Sequence, residues 1–211
     1  MTRRQVLAAA SRCHTAEGGI WHVLTDHQEW SDAPLPLPQE PAAWYQLAAA
    51  GAWQAVVADT SHPVAHDLVA ARAQGRTGLS AAWCSLPFTV PVLCAAASGA
   101  GVLALQSAVQ AAIAEGLPLQ RTVVALVATG DGRWPAQVRA AETMLQARVG
   151  AVIGVPYDPQ IRSTGMAQPG RLKPRTLAAA SELVRAVLAA AHATWGEPLP
   201  PAAVPAAAHV L

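Results

Sequence analysis

Short apolar runs that alternate with helix-like segments leave this chain few folds to adopt. The clearest run, 122–128, reads Thr-Val-Val-Ala-Leu-Val-Ala and is apolar on both faces, as central strands of parallel sheets are. Further strands are predicted at 20–24, 54–58, 90–96 and 151–155. The alternation predicts an α/β fold in which a mostly parallel, doubly wound sheet carries helices on both faces.

Helices are predicted between these strands from apolar spacings of three and four and from proline or glycine at their ends. The predicted helices cover residues 3–13, 41–50, 63–74, 102–115 and 174–195, and a further helix starts at Pro135 and extends at least to Leu145. We expect residues 1–195 to form a single α/β domain. Residues 196–211 are rich in proline and alanine, and we expect a disordered tail there.

Composition narrows the classes of partner and the cellular location. Of the 211 residues, 53% are hydrophobic and 13% are charged, which is typical of a globular domain with a sizeable core. The net charge of +1 provides no field to attract nucleic acid or anionic lipid. Three cysteines without a C-x-x-C motif favour a reducing, cytoplasmic setting. The uncharged interval 78–114 contains prolines and glycines and therefore predicts a buried strand and helix, not a membrane span.

The chain has no recognisable phosphate-binding loop. A Walker A loop requires G-x-x-x-x-G-K-[ST], which does not occur, and the sole lysine, Lys173, lies in a late loop. Ser98-Gly99-Ala100-Gly101 follows a strand and opens a helix, so its amides could face an anion. Because the third glycine of a dinucleotide-binding loop is missing, a tight strand-to-helix turn is the favoured interpretation.

The predicted strand at 54–58 delivers an acidic residue and a hydroxyl, Asp59 and Thr60, to the carboxyl edge of the sheet. Ligands bind at this edge in parallel α/β folds, and an aspartate there commonly holds the Mg²⁺ of a nucleotide. His62 and His66 follow closely, but Pro63 between them spoils the shared helix face that a zinc site would need. A helix cap and a partly buried histidine are therefore favoured over metal binding.

Two further carboxylates, Asp131 and Asp158, follow predicted strands and would lie at the same edge of the sheet. They could share a site, or each could serve its own turn, since Asp131 precedes a glycine and Asp158 a proline. No G-x-S-x-G nucleophile elbow is present, and Cys84 and Cys94 lie in apolar surroundings that keep a thiol inert. No catalytic residue is assigned.

The order of these elements resembles the MinD/ParA-like P-loop ATPases. Val56-Val57-Ala58-Asp59-Thr60 resembles their strand with the switch aspartate, and 122–128 followed by Thr129 resembles their later central strand. The stretch 155–161 resembles the loop after their last strand, and the closing helix resembles their terminal helix. The resemblance implies a P-loop NTPase-like fold with a vestigial nucleotide pocket. Its residues would be Asp59 and Thr60 on the Mg²⁺ side and Thr129, Pro156 and Asp158 around the base.

In that family the first strand and the phosphate loop would precede residue 3. The resemblance therefore implies either a truncated gene start or a degenerate relative of the kind found in high-GC actinobacteria, which fits the Ala- and Arg-rich composition. The favoured hypothesis is a non-catalytic domain that acts through protein contacts, with a protein partner or as a homodimer. Under this hypothesis we expect no cofactor and at most residual binding of ATP and Mg²⁺.

Two alternatives remain open. One is a small hydrolase or transferase that uses Asp59, Asp131, Asp158 and a histidine at the sheet edge. The other is an N-terminally truncated form of an active ATPase.

Overall fold

A computed structural model describes residues 2–15, 18–24, 40–60, 62–165 and 169–197. Within these ranges the chain forms eight α-helices and five short strands. The helices are α1 (Arg3–Ala9), α2 (Pro41–Gly51), α3 (Val64–Ala73), α4 (Leu79–Cys84), α5 (Gly99–Ala114), α6 (Ala136–Gln146), α7 (Pro159–Thr164) and α8 (Pro174–Trp195). The strands are β1 (Ser11–His14), β2 (Ile20–Val23), β3 (Val92–Ala96), β4 (Val123–Val127) and β5 (Ala151–Val155).

The described residues separate into two compact units. Unit 1 comprises those of Met1–Thr89 and Gln110–Leu117, and unit 2 comprises those of Val90–Val109 and Pro118–Leu211. Helix α5 therefore belongs to unit 2 at its start and to unit 1 at its end. The single domain expected at 1–195 stays a prediction, and the expected tail lies outside the described residues except for 196–197.

Unit 2 contains a three-stranded parallel sheet in the order β3-β4-β5. Val92 of β3 pairs with Val123 of β4, which pairs in turn with Ala151 of β5. The middle strand β4 is the run that the sequence marks as central, and Val123, Val124 and Leu126 are all 0% exposed. A strand that is apolar on both faces is stable only where both faces are covered, which is the position of β4.

Helices cover both faces of this sheet. Alternate residues of β4 point to opposite faces, so Val124 packs with α5 and α6, and Val123 packs with α8. The inner residues of α5 are Val102, Leu105 and Val109, and those of α6 are Val138, Ala141 and Leu145. The predicted α/β class with helices on both faces is confirmed for this unit. The P-loop NTPase-like assignment stays a prediction.

The turn from β3 into α5 depends on a close approach of two backbones. A Cβ added to Gly101 would lie 2.1 Å from the carbonyl oxygen of Ala96, so only glycine fits at this contact. The Ser98 hydroxyl accepts a hydrogen bond from the Gly101 amide at 3.1 Å and caps the helix. The Ser98–Gly101 stretch therefore forms the tight strand-to-helix turn that the sequence favours.

Unit 1 is built mainly from helices around a small core. Helix α1 packs on α2, while α2 and α3 both pack on α4. Val6, Leu68 and Ala71 are at most 2% exposed. Helix α1 begins with a capping box, in which the Thr2 hydroxyl accepts from the Gln5 amide and the Gln5 side chain accepts from the Thr2 amide.

The N-terminal region differs from the prediction in one respect. The predicted helix at 3–13 ends at Ala9, and Ser11–His14 instead forms β1, which pairs antiparallel with β2. The strand predicted at 20–24 is confirmed as β2, but it belongs to this hairpin and not to the parallel sheet. Gly18, with φ of 82°, provides the left-handed backbone in the turn between the two strands.

The predicted strand at 54–58 is wrong for the chain in this structure. Residues 55–60 lie outside any helix or strand and are exposed, with Val57 96% and Val56 57% exposed. The physical reason is that a strand requires a neighbour, and the amides and carbonyls of this segment form no hydrogen bond within the described part of the chain.

The long final helix is confirmed as α8, with an apolar stripe that faces solvent. Leu177, Val184 and Leu188 share one side of the helix and are 49%, 57% and 51% exposed. The residues that pack against the sheet are instead Leu183, Ala186, Val187 and Ala190. Among the described residues, no helix combines the length and the apolar character that a membrane crossing requires.

Candidate functional site

The carboxyl edge of the parallel sheet in unit 2 brings together three loops. They follow β3, β4 and β5 and contain, respectively, the Ser98–Gly101 turn, Thr129 with Asp131, and Pro156 with Asp158. Of the five residues predicted for a nucleotide pocket, Thr129, Pro156 and Asp158 belong to this edge. Thr129 is exposed, Pro156 is half-buried, and Asp158 is 4% exposed.

Asp158 acts as a cap for two helices at once. Its Oδ1 atom accepts from the Gln160 amide at 3.0 Å in the first turn of α7. Its Oδ2 atom accepts from the Lys173 amide at 2.9 Å and from the Thr176 hydroxyl at 2.8 Å, both at the start of α8. The carboxylate therefore ties the loop after β5 to the N-terminal turns of two helices, where a negative charge is stabilised.

These contacts also set the protonation state of Asp158. The hydrogen bond from the Lys173 amide lowers the pKa of Asp158 most, and those from Thr176 and Gln160 act in the same direction against the effect of burial. All these donors stabilise the ionised form. At neutral pH the group is a carboxylate with three donors in place, which makes it a poor general base and a good structural anchor.

Arg175 connects the loops after β4 and β5. Its Nη2 atom donates to the Tyr157 carbonyl oxygen at 2.9 Å and lies 3.4 Å from Oδ1 of Asp131. The side chains of Arg175 and Asp131 are 53% and 69% exposed, so the ion pair is screened by solvent. The sequence left open whether Asp131 and Asp158 share a site. Both lie near this edge, but Asp158 is buried as a helix cap and Asp131 is exposed beside Arg175.

Asp59 and Thr60, the other two residues of the predicted pocket, belong to unit 1. Both are exposed and lie in the irregular segment that precedes α3. They form no hydrogen bond within the described residues. Their predicted role on the Mg²⁺ side of a nucleotide stays a prediction.

A second capping carboxylate occurs in unit 1. Asp67 of α3 accepts from the Leu79 amide at 3.0 Å and from the Ser80 amide at 2.7 Å, and so caps α4. Burial alone would raise the pKa of Asp67, but the hydrogen bonds from Ser80 and Leu79 outweigh burial and lower it, helped by nearby His62. In the same stretch of sequence, a helix cap and a partly buried histidine were favoured over a metal site at His62 and His66. The described residues contain no cluster of three or more His, Cys, Asp or Glu side chains.

A shallow cavity of about 310 Å³ lies in unit 1 between α3 and the last turns of α5. Its walls are mainly apolar, with Arg72 and Glu115 paired at 3.1 Å. The lining residues are Leu68, Val69, Arg72, Ala73, Ala111, Ala114 and Glu115. None of the residues predicted for a nucleotide pocket or a catalytic site lines it.

Sequence reasoning missed the partners of the two capping carboxylates. Lys173 and Thr176 lie 15 and 18 positions from Asp158 along the chain, so no local pattern links them to it. One signal was available: Asp158 directly precedes Pro159, and an aspartate followed by a proline at the first helical position is a typical start of a helix. No comparable feature of the sequence predicted that Asp67 caps α4.

No protein-family model, curated protein or solved structure matches this chain.

Proposed function

We propose that this chain is a non-catalytic, degenerate MinD/ParA-like domain that acts through protein–protein contacts in the cytoplasm. The main support is the apolar stripe of α8, formed by Leu177, Val184 and Leu188. Each of these side chains is about half exposed, and the spacings of seven and four place them on one side of the helix. Neighbouring apolar side chains exposed on one face are typical of a surface that binds another protein.

The state of Asp158 supports the non-catalytic part of the proposal. An acid or base must exchange protons with a substrate, whereas this carboxylate is 4% exposed and already accepts three hydrogen bonds. Phosphoryl transfer also depends on positioned cations and amides around the phosphates. Residual nucleotide binding through Asp59, Thr60, Thr129, Pro156 and Asp158 is what the family resemblance implies, and it stays a prediction.

Calorimetric titration of the full chain with ATP and MgCl₂, together with an assay of phosphate release, tests whether the domain is non-catalytic. We expect no saturable heat and no release of phosphate above the rate of the buffer. A submillimolar dissociation constant, or phosphate release that depends on Mg²⁺, would contradict the non-catalytic assignment.

Site-specific photo-cross-linking in the source cells tests whether the domain acts through protein–protein contacts. A photoreactive residue at Val184 is expected to give a discrete adduct, either with a partner or with a second copy of the chain. Glu182 is the matched control because it is exposed and lies about 200° around the helix from Val184. Leu188→Glu should weaken the Val184 adduct. Absence of any adduct specific to the stripe would count against a binding role for α8.

A further inference from the structure

The exposed side of α8 has a spacing that is the same in both directions along the helix. Leu177, Ser181, Val184 and Leu188 are all exposed and follow one another at intervals of four, three and four residues. At about 100° per residue, these four positions fall within a sector of about 60° on one side of the helix. Two-fold dimers place the same surface of both copies in contact. A row with this symmetric spacing therefore matches a second copy of itself in antiparallel orientation.

The polar member of this row has its hydrogen bond within the helix. The Ser181 hydroxyl donates to the carbonyl oxygen of Leu177 at 3.0 Å, as serine commonly does inside helices. A hydroxyl that keeps this bond can enter an apolar contact without leaving its donor unpaired. Ser181 and the neighbouring exposed Ala180 are also small, and small side chains allow two helices to approach closely. The row therefore offers apolar surface without an unsatisfied hydroxyl group.

Helix α8 is fixed to unit 2 at both ends and along its inner side. Near its start the Thr176 hydroxyl donates to Asp158 at 2.8 Å, and at its end the Arg121 guanidinium lies 5.2 Å from the centre of the Trp195 ring. The inner side, which packs against the sheet, lies about 140° around the helix from the exposed row. A surface that is ordered before binding loses little conformational entropy on association.

We propose that the exposed row of α8 packs antiparallel against the same row in a second copy of this chain. Leu177 of each copy then lies against Leu188 of the other, and Ser181 lies against Val184, so the half-exposed leucines cover each other at both ends of the contact. The antiparallel orientation sets opposite ends of the two helix dipoles side by side. Arg185 lies about 70° to one side of the row and stays in solvent. The inference rests on the proposed function, because it names a second copy as the protein partner.

The oligomeric state of the full chain tests the helix pair. Sedimentation over micromolar to submillimolar concentrations should show a monomer–dimer equilibrium, weak because one pair of helices is a small interface. Val184→Glu places a charge at the centre of the contact and should raise the dimer dissociation constant by about tenfold or more. Val69→Glu is the matched control, because it makes the same change at a 63% exposed position of α3. Leu188→Ala adds no charge to the helix and should also weaken the dimer, by a smaller factor. Since Val184 is 57% exposed, Val184→Glu should leave the circular dichroism unchanged.

Cross-linking with a short bismaleimide identifies the orientation. In the antiparallel pair, Leu177→Cys of one copy is adjacent to Leu188→Cys of the other, whereas two Leu177→Cys thiols are about 16 Å apart along the helix. A mixture of the two single variants should therefore give a dimeric product joined between these positions, as located by peptide mass mapping. The unchanged chain, with its own three cysteines, gives the background. A chain that stays monomeric, a dimer that Val184→Glu leaves as intact as Val69→Glu does, or cross-links between identical positions in place of the mixed product would overturn the inference.

These outcomes are separable from those of the proposed function. A monomeric chain that binds no nucleotide, and whose photoreactive residue at Val184 forms an adduct with a different protein, would remove the α8 dimer alone. Nucleotide binding in calorimetry would contradict the proposed function whatever the oligomeric state.

Discussion

Replacement of Gly101 by alanine is the sharpest test of how unit 2 is assembled. The new Cβ would lie 2.1 Å from the carbonyl oxygen and 2.9 Å from the carbonyl carbon of Ala96. Carbon and oxygen atoms approach no closer than about 3.3 Å in favourable contacts. The start of α5 must therefore move away from the end of β3 by about 1 Å.

The displacement has a predictable energetic cost. Val102 and Leu105, in the first turns of α5, are 4% and 3% exposed and pack against the sheet. Overpacking of this kind typically costs about 1–3 kcal/mol. Alanine regains at most about 1 kcal/mol through its higher helix propensity. Since a backbone atom obstructs the new group, we expect the cost to dominate and Gly101→Ala to be destabilising.

The assay is urea unfolding with a matched glycine control. Gly130→Ala lies in the same unit, where a Cβ would meet nothing within 4 Å, and its backbone is not left-handed. We expect that control to change the free energy of unfolding by about 0.5 kcal/mol or less. A net loss of up to about 3 kcal/mol in Gly101→Ala corresponds to a fall in Tm of up to about 12 °C for a chain of this size. If Gly101→Ala is as stable as Gly130→Ala, the close approach of α5 to β3 is refuted.

Three further outcomes follow from the capping carboxylates and from the surface ion pair. Thr176→Val removes the hydroxyl donor of Asp158 and should destabilise the chain by about 1.5–3 kcal/mol in urea unfolding at pH 7; an unchanged unfolding midpoint would contradict that contact. Because the pKa values of Asp67 and Asp158 are lowered on folding, their stabilising contribution is fully present above about pH 5. It is lost as the pH falls through the pKa of an unfolded aspartate, about 3.9, towards the lower folded pKa, so Tm should decline there and the effect of Thr176→Val should shrink. Glu115→Gln breaks the exposed pair with Arg72 and should change the free energy of unfolding by less than about 1 kcal/mol, whereas a larger loss would indicate a buried role.

The parallel sheet and its helices could be read from the residues. Thr122–Ala128 predicted the central strand because β-branched residues without polar neighbours are stable only when both faces are buried, and β4 occupies that position. The strand at 151–155 and the helix ending at Trp195 were also confirmed. In these segments the local preference for strand or helix agrees with the tertiary environment, so the hydrophobic pattern alone predicts the element.

The N-terminal half was harder to predict because its strands depend on their neighbours. Ser11–His14 became a strand only because Ile20–Val23 pairs with it. The apolar run at 54–58 has the composition of a buried strand and remains irregular, since no neighbour satisfies its backbone within the described residues. Helix hydrogen bonds form within one segment, whereas strand hydrogen bonds join two, so local sequence predicts a helix more securely than a strand.

The capping carboxylates Asp67 and Asp158 also have contacts that differ in how far the local sequence predicts them. The local sequence carried one signal for the helix that starts at Asp158, because Pro159 follows it and suits the first helical position, although the prediction there was a turn or a shared site. Only the tertiary structure brought Lys173 and Thr176 to that carboxylate and Leu79 and Ser80 to Asp67. A cap that involves neighbouring residues can be predicted from the local sequence, whereas a cap to a distant helix depends on how separate segments pack together.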